Sequence, residues 1–199
     1  MIRPFILGLT GSIGMGKSAV AAMFKGQNVP VFDADAEVHR LEGPDGELLP
    51  AIEAAFPGTT SPAGVDRVKL GAAVFGNPTA LARLEAIVHP AVAKARAEFL
   101  QNHPDAPLVV FDIPLLFEKG GQQQVDAVAV VSAPATAQRE RVMARPGMTA
   151  EKFASILRLQ TPDAEKRARA DYVINTGKSL AETAREVREL IKNIRESII

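Results

Sequence analysis

Five short runs of apolar residues, rich in β-branched side chains, recur along the chain between longer stretches of helix-forming residues. The runs cover residues 5–9, 29–32, 108–112, 125–131 and 172–174. Strands that are apolar on both faces and alternate with helices are typical of a parallel sheet covered on both sides. The pattern therefore predicts an α/β fold in which helices flank a five-stranded parallel sheet.

The gap between the second and third runs is far longer than an ordinary crossover between parallel strands. It holds helix-like sequence over residues 34–103, with breaks at Gly43-Pro44, Phe56-Pro57-Gly58 and His89-Pro90. A residue before proline avoids helical geometry, so we expect His89 to lie at a bend. We expect residues 34–103 to form a helical substrate-binding insertion.

Two further segments have helical patterns. Residues 137–170 carry many arginines and a break at Pro146-Gly147, which suits a helical lid between the fourth and fifth strands. From Leu180 onward, apolar residues recur at helical spacing with arginine and glutamate between them, which predicts a helix packed on the sheet. Residues 1–33, 104–136 and 171–199 are then the core of a single domain.

Composition limits the expected partners. The 199 residues are 47% apolar, enough for one substantial core but hardly for two. The 23 basic residues balance 23 acidic ones, and one Tyr with no Trp leaves little surface for stacking bases, so nucleic acid is not expected. Without cysteines, a leader pattern or a membrane-length apolar run, neither disulfides, export nor a membrane is expected. We expect a cytoplasmic enzyme with a small-molecule substrate, either a monomer or a weak homo-oligomer.

The most informative motif follows the first predicted strand. Residues 11–18, Gly-Ser-Ile-Gly-Met-Gly-Lys-Ser, fit G-x-x-x-x-G-K-[ST] and precede a run of helix formers. In this motif successive backbone N–H groups curl around a phosphate, and the following helix points its positive end at the anion. Lys17 is expected to reach the β- and γ-phosphates, and the Ser18 hydroxyl to bind the Mg²⁺ that bridges them. The alternative, a glycine-rich turn without a ligand, is disfavoured by the strand before it and the helix after it. The motif predicts binding of a nucleoside triphosphate.

Carboxylates follow two of the predicted strands. Asp33-Ala34-Asp35 follows the second strand, and Asp112 ends the third. Ligands of open α/β sheets lie beyond the carboxyl ends of the strands, so these groups are expected near Lys17 and Ser18. A phosphoryl acceptor needs a carboxylate to take its proton, and Mg²⁺ needs an anchor opposite the serine. Either Asp35 or Asp33 suits the first role and Asp112 the second. Capping of the next helix is the alternative for one of the pair.

Arginines of the predicted lid supply a third component. A planar guanidinium can hold two oxygens of the γ-phosphoryl group, whose charge is spread over three oxygens in the transition state. Arg141 and Arg145 are four residues apart and would share one face of a helix. We predict that both point at the phosphates. The alternative is a solvated charged face in which Glu140 pairs with one arginine.

Further motifs extend along nearly the whole chain. They are residues 9–18, Asp33-Ala34-Asp35, Asp66-Arg67 with Val74-Phe75, His89-Pro90, Asp-Ile-Pro-Leu-Leu-Phe-Glu at 112–118, and residues 166–174 from Lys166-Arg167 to Ile174. Together they resemble the dephospho-coenzyme A kinase family. The segment at 112–118 is far more specific than the phosphate loop alone.

The resemblance implies a P-loop kinase fold and ATP-dependent phosphorylation of the ribose 3′-hydroxyl of dephospho-coenzyme A, the last step of coenzyme A biosynthesis. It implies that Asp35 is the catalytic base, acting with Lys17 and with Arg141 and Arg145 as lid arginines. The implied ATP-binding residues are Gly11, Ser12, Ile13, Gly14, Met15, Gly16, Lys17, Ser18, Ala19 and Asn175. The implied acceptor site comprises Asp35, His89, Leu115, Leu116, Phe117 and Glu118, and the metal ligands are Ser18 and Asp112.

Several positions depart from the family pattern. Ser12 and Met15 stand where the family often has Gly and Ser, and both side chains are expected to point away from the phosphates. Pro146 stands where an acidic residue is common, which affects the lid boundary. Asn175-Thr176-Gly177 is a variant of the ending of the adenine-side loop.

Three other classes of protein can carry a phosphate loop. A small nucleoside or nucleotide kinase would share the sheet, the glycine loop and an arginine lid and would differ mainly in what fills the insertion. A comparison of acceptors would separate the two. A regulatory GTPase should carry Asn-Lys-x-Asp, yet none of the five asparagines precedes a lysine. A nucleotide-binding scaffold without turnover is disfavoured because Lys17, Ser18, Asp35 and Asp112 are all present.

Overall fold

The computed structural model describes residues 3–198, which divide into two compact units. The sheet unit comprises the chain up to Phe32 and from His103 onward, and the helical unit comprises Asp33–Asn102. In chain order the elements are β1 (Phe5–Thr10), α1 (Lys17–Gly26), β2 (Val31–Asp33), α2 (Ala34–Leu41), α3 (Leu49–Ala55), β3 (Thr60–Ser61), β4 (Gly64–Val65), α4 (Arg67–Val74), α5 (Pro78–Gln101), β5 (Leu108–Asp112), a 3₁₀ turn (Gly121–Gln124), β6 (Ala127–Ser132), α6 (Ala135–Met143), α7 (Ala150–Arg158), α8 (Asp163–Ala168), β7 (Tyr172–Asn175) and α9 (Leu180–Ser197).

A five-stranded sheet has the order β2-β5-β1-β6-β7. β1 pairs in parallel with β5 on one side and with β6 on the other, and β6 pairs in parallel with β7. All five predicted strands are present, with ends within two residues of the predicted ones. The predicted parallel α/β sheet is confirmed.

The two faces of the sheet bury different sets of side chains. Ala127, Ala129 and Val131 of β6 belong to a core cluster that also contains buried residues of α1 and α9. Val128 and Val130 point to the other face, where they pack with Leu116 and Phe117. Because side chains alternate along a strand, a strand covered on both faces must be apolar at every position. This explains the continuous apolar runs of the sequence.

The last helix packs as its periodicity predicts. Val187, Leu190, Ile191 and Ile194 of α9 are buried in the core cluster that contains α1. A capping box begins the helix, in which the Ser179 side chain and the side chain three residues later bond each other's backbone N–H groups. None of the helices in the described residues is long and apolar enough to cross a membrane.

The helical unit has its own core, and one prediction within it is wrong. Leu41, Ile52 and Leu70 pack beneath α5, a helix of 24 residues. His89-Pro90 lies inside this helix and not at a bend. A proline removes one helical hydrogen bond, but the residues on both sides of it, Ile87, Val88, Ala91 and Val92, pack on the core. Burial of that apolar face explains why the helix continues through the proline.

A small hairpin in the helical unit was not predicted from the sequence. β3 and β4 are two residues each and pair antiparallel. The Glu53 carboxylate holds this turn, because it accepts hydrogen bonds from Gly58 N, from Thr60 N and from the Thr60 hydroxyl at 2.7, 3.1 and 2.7 Å. Strands of two residues leave too few positions for an alternating pattern to be recognised.

A buried ion pair ties α8 to the segment that follows β5. The Lys166 side chain is fully buried, and its Nζ lies 2.9 Å from Glu118 Oε1. The same oxygen accepts a hydrogen bond from Thr161 N at 2.8 Å. A buried cation needs a paired anion, because burial of an unpaired charge is very costly. Glu118 therefore stabilises the contact between these two segments.

We predict that Glu118→Gln destabilises the protein by about 3–5 kcal/mol, because it leaves Lys166 charged and buried without an anion. Lys166→Met is expected to cost less, since the Glu118 carboxylate is partly exposed and keeps the Thr161 N–H. Urea unfolding monitored by circular dichroism measures both. Glu196→Gln is the control, because it removes the exposed partner of Lys192 and should change stability by under about 0.5 kcal/mol.

The pH dependence gives a second measure of the same pair. Burial alone raises the pKa of Glu118, but Lys166 and the Thr161 N–H outweigh it and hold the pKa below its ordinary value. Because its folded-state pKa is lowered, Glu118 contributes stability at pH values above the ordinary carboxyl pKa. This contribution is lost as the pH falls through the folded-state pKa. Glu118→Gln should therefore flatten the loss of stability in acid. An unchanged acid profile, or equal stability of the Glu118 and Glu196 variants, would contradict this account.

Candidate active site

The phosphate loop, residues 11–18, connects β1 directly to α1. Its backbone has φ of +78° at Gly14 and +89° at Gly16, the left-handed region that glycine enters without steric cost. Gly16 is the N-cap residue of α1, so the helix begins at Lys17. The strand, loop and helix therefore follow in the order that the motif predicts.

The loop keeps several backbone donors available. Among the described residues, no protein group accepts a hydrogen bond from the N–H of Gly14, Gly16, Lys17 or Ser18. The last three lie at the N-terminus of α1, where unpaired N–H groups and the helix dipole favour an anion. This end of the sheet can therefore bind a phosphate through backbone donors.

The Met15 side chain points into the protein. Met15 is 2% exposed and belongs to the core cluster of the sheet unit, and Ala133 N lies 3.1 Å from its sulfur. Ser12 is buried as well. Ser12 and Met15, two of the residues that depart from the family pattern, are thus packed inside the protein.

Lys17 and Asp112 form an ion pair beside the loop. Asp112 ends β5, and the parallel register places it opposite Leu9 of β1, next to the origin of the loop. Its side chain is 5% exposed and that of Lys17 is 19% exposed. The group expected to bind phosphates and the group expected to anchor a metal ion are therefore in contact.

The oxygen atoms near the loop suit Mg²⁺. The Ser18 side chain is exposed in the first turn of α1, and the Asp112 carboxylate lies beside Lys17. In the described part of the chain, no group of three or more histidine or acidic side chains is placed to hold a metal. Mg²⁺ commonly binds through one or two protein oxygens together with phosphates and waters, so it needs no such group.

The aspartates after β2 have different structural roles. Asp33 caps α2, because its carboxylate accepts a hydrogen bond from Ala36 N at 2.9 Å. The capping alternative is therefore confirmed for Asp33. Asp35 lies exposed in the first turn of α2, and no hydrogen bond engages its carboxylate in residues 3–198. Asp35 is the one of the two that remains available for chemistry.

Several residues expected at an acceptor site are packed inside the sheet unit. Leu116 is fully buried and Phe117 is 7% exposed, both in an apolar cluster, and the Arg169 guanidinium lies 4.5 Å from the centre of the Phe117 ring. Glu118 is held by Lys166. Leu115, at 37% exposure, is the most exposed of residues 115–118. Direct substrate contact by Leu116 and Phe117 is therefore not supported, since apolar packing occupies them. In the helical unit, His89 is exposed on α5.

The shared helix face predicted for Arg141 and Arg145 is wrong. α6 ends at Met143, and Arg145 lies in the following exposed turn. Gly147, after Pro146, has φ of +70°, which belongs to a turn, and a residue before proline avoids helical geometry.

Arg141 remains within α6 and has a specific partner. It donates to the hydroxyl and the carbonyl oxygen of Thr176 at 3.1 and 2.7 Å. Pairing with Glu140 is therefore not its role.

A pocket of about 450 Å³ adjoins the loop at the ends of β6 and β7. Its lining includes Met15, Ser132, Gln138, Asp163, Arg167 and Asn175. The Asn175 side-chain oxygen accepts a hydrogen bond from Gly177 N at 2.8 Å, which shapes the loop after β7. This pocket is a cavity of the sheet unit in contact with the phosphate loop.

Three polar residues that hold the loop were not predicted from the sequence. Gln138, Gln160 and Thr176 contact backbone atoms of Ile13 or Met15. They are more than 100 residues from the loop in sequence, and no spacing rule connects them to it. Only Thr176 lay within a segment that the motifs singled out.

Comparison with known proteins gives consistent results. Residues 5–182 match the family model for dephospho-CoA kinase. A dephospho-CoA kinase of Novosphingobium aromaticivorans is 70% identical over 196 residues, which cover 98% of each chain. A crystal structure of a Thermus thermophilus protein is 37% identical with a TM-score of 0.85, and the match covers 96% of this chain and 98% of that one.

A more distant structure agrees in fold. The dephospho-CoA kinase of Campylobacter jejuni has a TM-score of 0.63 at 24% identity, and the match covers 95% of this chain and 96% of that one. At that identity the likeness concerns the fold alone. The family match and the high identity to a full-length relative decide the assignment: the chain belongs to the dephospho-CoA kinase family.

Proposed function

We propose that this member of the family transfers the γ-phosphoryl group of ATP to the ribose 3′-hydroxyl of dephospho-coenzyme A. The observation that carries the proposal is the phosphate loop, whose unpaired N–H groups lie at the start of α1 beside the Lys17–Asp112 pair. Such a loop binds the phosphates of a nucleotide. The family assignment supplies the acceptor.

The donor phosphates bind to the loop in this proposal. The N–H groups of Gly16, Lys17 and Ser18 donate to phosphate oxygens, and the Lys17 ammonium moves from Asp112 to the β- and γ-phosphates. Fixed donors stabilise the charge that spreads over the γ-phosphoryl oxygens in the transition state. Ser18 and Asp112 would hold Mg²⁺, which when bound neutralises part of the phosphate charge.

Asp35 accepts the proton of the acceptor hydroxyl. Its carboxylate is exposed and has no hydrogen-bond partner in the described residues, whereas Asp33 is used in capping α2. A carboxylate within hydrogen-bond reach of a hydroxyl lowers the barrier to its attack on phosphorus. We assign His89 and the insertion, residues 34–103, to acceptor binding together with Leu115.

The segment at 137–170 serves as the lid, and the loop after β7 serves the adenine side. Arg141 donates to Thr176, next to Asn175 of the pocket lining, which supports a role for Arg141 beside a nucleotide bound to the loop. Arg145 lies in an exposed turn and is free to reach the transferred group. Guanidinium groups suit this role because they donate to two phosphate oxygens at once.

The reaction itself is the first test. ATP turnover is measured with and without dephospho-coenzyme A, with adenosine and simple nucleotides as control acceptors, and products are identified by mass and by the position of the phosphate. The expected product is one phosphoryl group heavier, carries it at the ribose 3′ position, and forms only from dephospho-coenzyme A. Turnover with a control acceptor alone would retain phosphoryl transfer but overturn the acceptor.

We predict that Lys17→Met lowers kcat/KM by about 100- to 1,000-fold, as expected when one charged donor to the transition state is lost. Steady-state kinetics with varied ATP measures the change. Lys25→Met is the matched control, because Lys25 is an exposed lysine in the last turn of the same helix. Near-normal kinetics of the Lys17 variant would refute its role.

We predict that Asp35→Asn removes most turnover and leaves ATP affinity nearly unchanged, because the amide cannot accept the proton. Single-turnover kinetics and ATP titration separate the two effects. Asp33→Asn is the control, and it should affect helix stability modestly and leave kcat close to that of the parent. If the Asp33 variant were the inactive one, the base would be Asp33 and not Asp35.

A further inference from the structure

Two glutamine side chains, one before and one after the same chain segment, hydrogen-bond the same residue of the phosphate loop. Gln138 Nε2 donates to the carbonyl oxygen of Ile13 at 2.8 Å, and Ile13 N donates to Gln160 Oε1 at 3.1 Å. An amide side chain can donate and accept, and here each glutamine uses the function that matches its backbone partner. Both peptide groups of Ile13 are therefore bound by side chains.

We propose that Gln138 and Gln160 are positioning residues that hold the phosphate loop in the shape that binds ATP. The proposal rests on the proposed function, because it assigns the loop to ATP. The glutamines act through Ile13, because both of them bind its backbone. Their role is to keep the loop preorganised, so that binding energy is not used to order it.

The packing of α6 on the loop supports this role independently. Gly14 follows Ile13, and a Cβ atom at Gly14 would lie 2.5 Å from Val142 Cγ2 and 3.0 Å from the carbonyl oxygen of Gln138. The backbone of the loop therefore touches α6. Gln138 is 7% exposed, and a buried amide that lost its partner would carry a desolvation cost. The position of Gln138 is thus well defined.

A second carbonyl of the loop is bound in the same manner. The Thr176 hydroxyl donates to the carbonyl oxygen of Met15 at 2.6 Å, and Arg141 in turn donates to that hydroxyl. Carbonyl oxygens repel a phosphate, whereas N–H groups attract it. Side chains that bind the carbonyls of Ile13 and Met15 leave the N–H groups of Gly14 and Gly16 for the anion.

The two glutamines also bracket the α7 arm, which we define as residues 144–159. Gln138 lies in α6 before this arm, and Gln160 follows it directly. A residue before the arm and the residue directly after it are therefore both hydrogen-bonded to Ile13. The state of the loop and the position of the arm are coupled through one residue, Ile13. Loss of either glutamine should therefore weaken the use of ATP and leave binding of the acceptor unchanged.

The test uses Gln138→Met and Gln160→Met, which keep the length of the side chain and remove its polar atoms. Each should lower kcat/KM for ATP by about 3- to 10-fold, the value of one net hydrogen bond, and leave KM for dephospho-coenzyme A within twofold. Gln123→Met is the matched control, because Gln123 is exposed in the 3₁₀ turn at Gly121–Gln124, and it should equal the parent.

Amide hydrogen exchange of Ile13, measured by NMR in the protein without nucleotide, provides the readout that general destabilisation would not give. Gln160→Met should accelerate exchange at Ile13 while strand amides of β1 and β5 remain protected, because only the acceptor of that N–H is lost. Gln160→Glu keeps an acceptor oxygen and should restore protection at Ile13. Urea unfolding establishes that the variants are folded.

Two results would overturn the proposal. One is an unchanged kcat/KM for ATP together with unchanged exchange at Ile13 in both methionine variants. The other is a raised KM for dephospho-coenzyme A with normal use of ATP, which would place the glutamines on the acceptor side. Failure of the proposed function is distinguishable, since the parent itself would then not use ATP while the exchange of Ile13 would still respond to Gln160.

Discussion

The register of β1 between β5 and β6 is the constraint on which the active site depends. It sets Leu9 opposite Asp112 and Thr10 opposite Val130, so the phosphate loop begins level with the carboxyl ends of both neighbours. A shift of one residue would exchange the two faces of β1 and move Asp112 away from the start of α1. β1 is buried along most of its length, and α1 and α9 pack against one of its faces. At Gly8 a Cβ atom would lie 2.8 Å from Leu116 Cδ1, so a shifted register would place a side chain where none fits. The contact of Lys17 with Asp112 follows from this geometry.

Two ion pairs of the sheet unit include a buried charged side chain, and both involve the segment that begins at the end of β5. Asp112 is paired with Lys17, and Glu118, six residues further on, is paired with Lys166. The first pair includes a lysine that is partly exposed and can exchange its partner for a phosphate. The second pair has a fully buried lysine, so it can serve only to hold the segment in place. One short segment thus carries the carboxylate that we assign to chemistry and a carboxylate that stabilises the fold, and the exposure of their lysine partners differs.

The sequence predicted what depends on local pattern and missed what depends on distant contacts. Apolar runs revealed all five strands, and the glycine spacing revealed the loop, since both follow from neighbours in the chain. The helix break expected at His89 did not occur, because the packing of α5 outweighed one lost hydrogen bond. The helix face expected to include Arg145 does not exist, because α6 ends at Met143. The residue types of the motif at 112–118 could be recognised in the sequence, but which of these side chains are exposed depends on how the core packs. Gln138 and Gln160 carry no local signal at all.

A loop that binds phosphate through its backbone must be held by something other than its N–H groups. An N–H group that already donates to a protein atom cannot also bind the anion. The loop therefore has to be held by packing of its side chains and by donors directed at its carbonyl oxygens. The structure has both kinds, since Met15 is packed in the core and the carbonyls of Ile13 and Met15 accept from Gln138 and Thr176. Two N–H groups of the loop are exceptions: one is Met15 N, which donates to the Ser12 carbonyl oxygen, and the other is Ile13 N, which donates to Gln160. The Ile13 N–H lies before the left-handed turn at Gly14, ahead of the donors at the start of α1. The protein therefore binds the loop where the anion does not, and preorganisation is achieved without competing with the ligand.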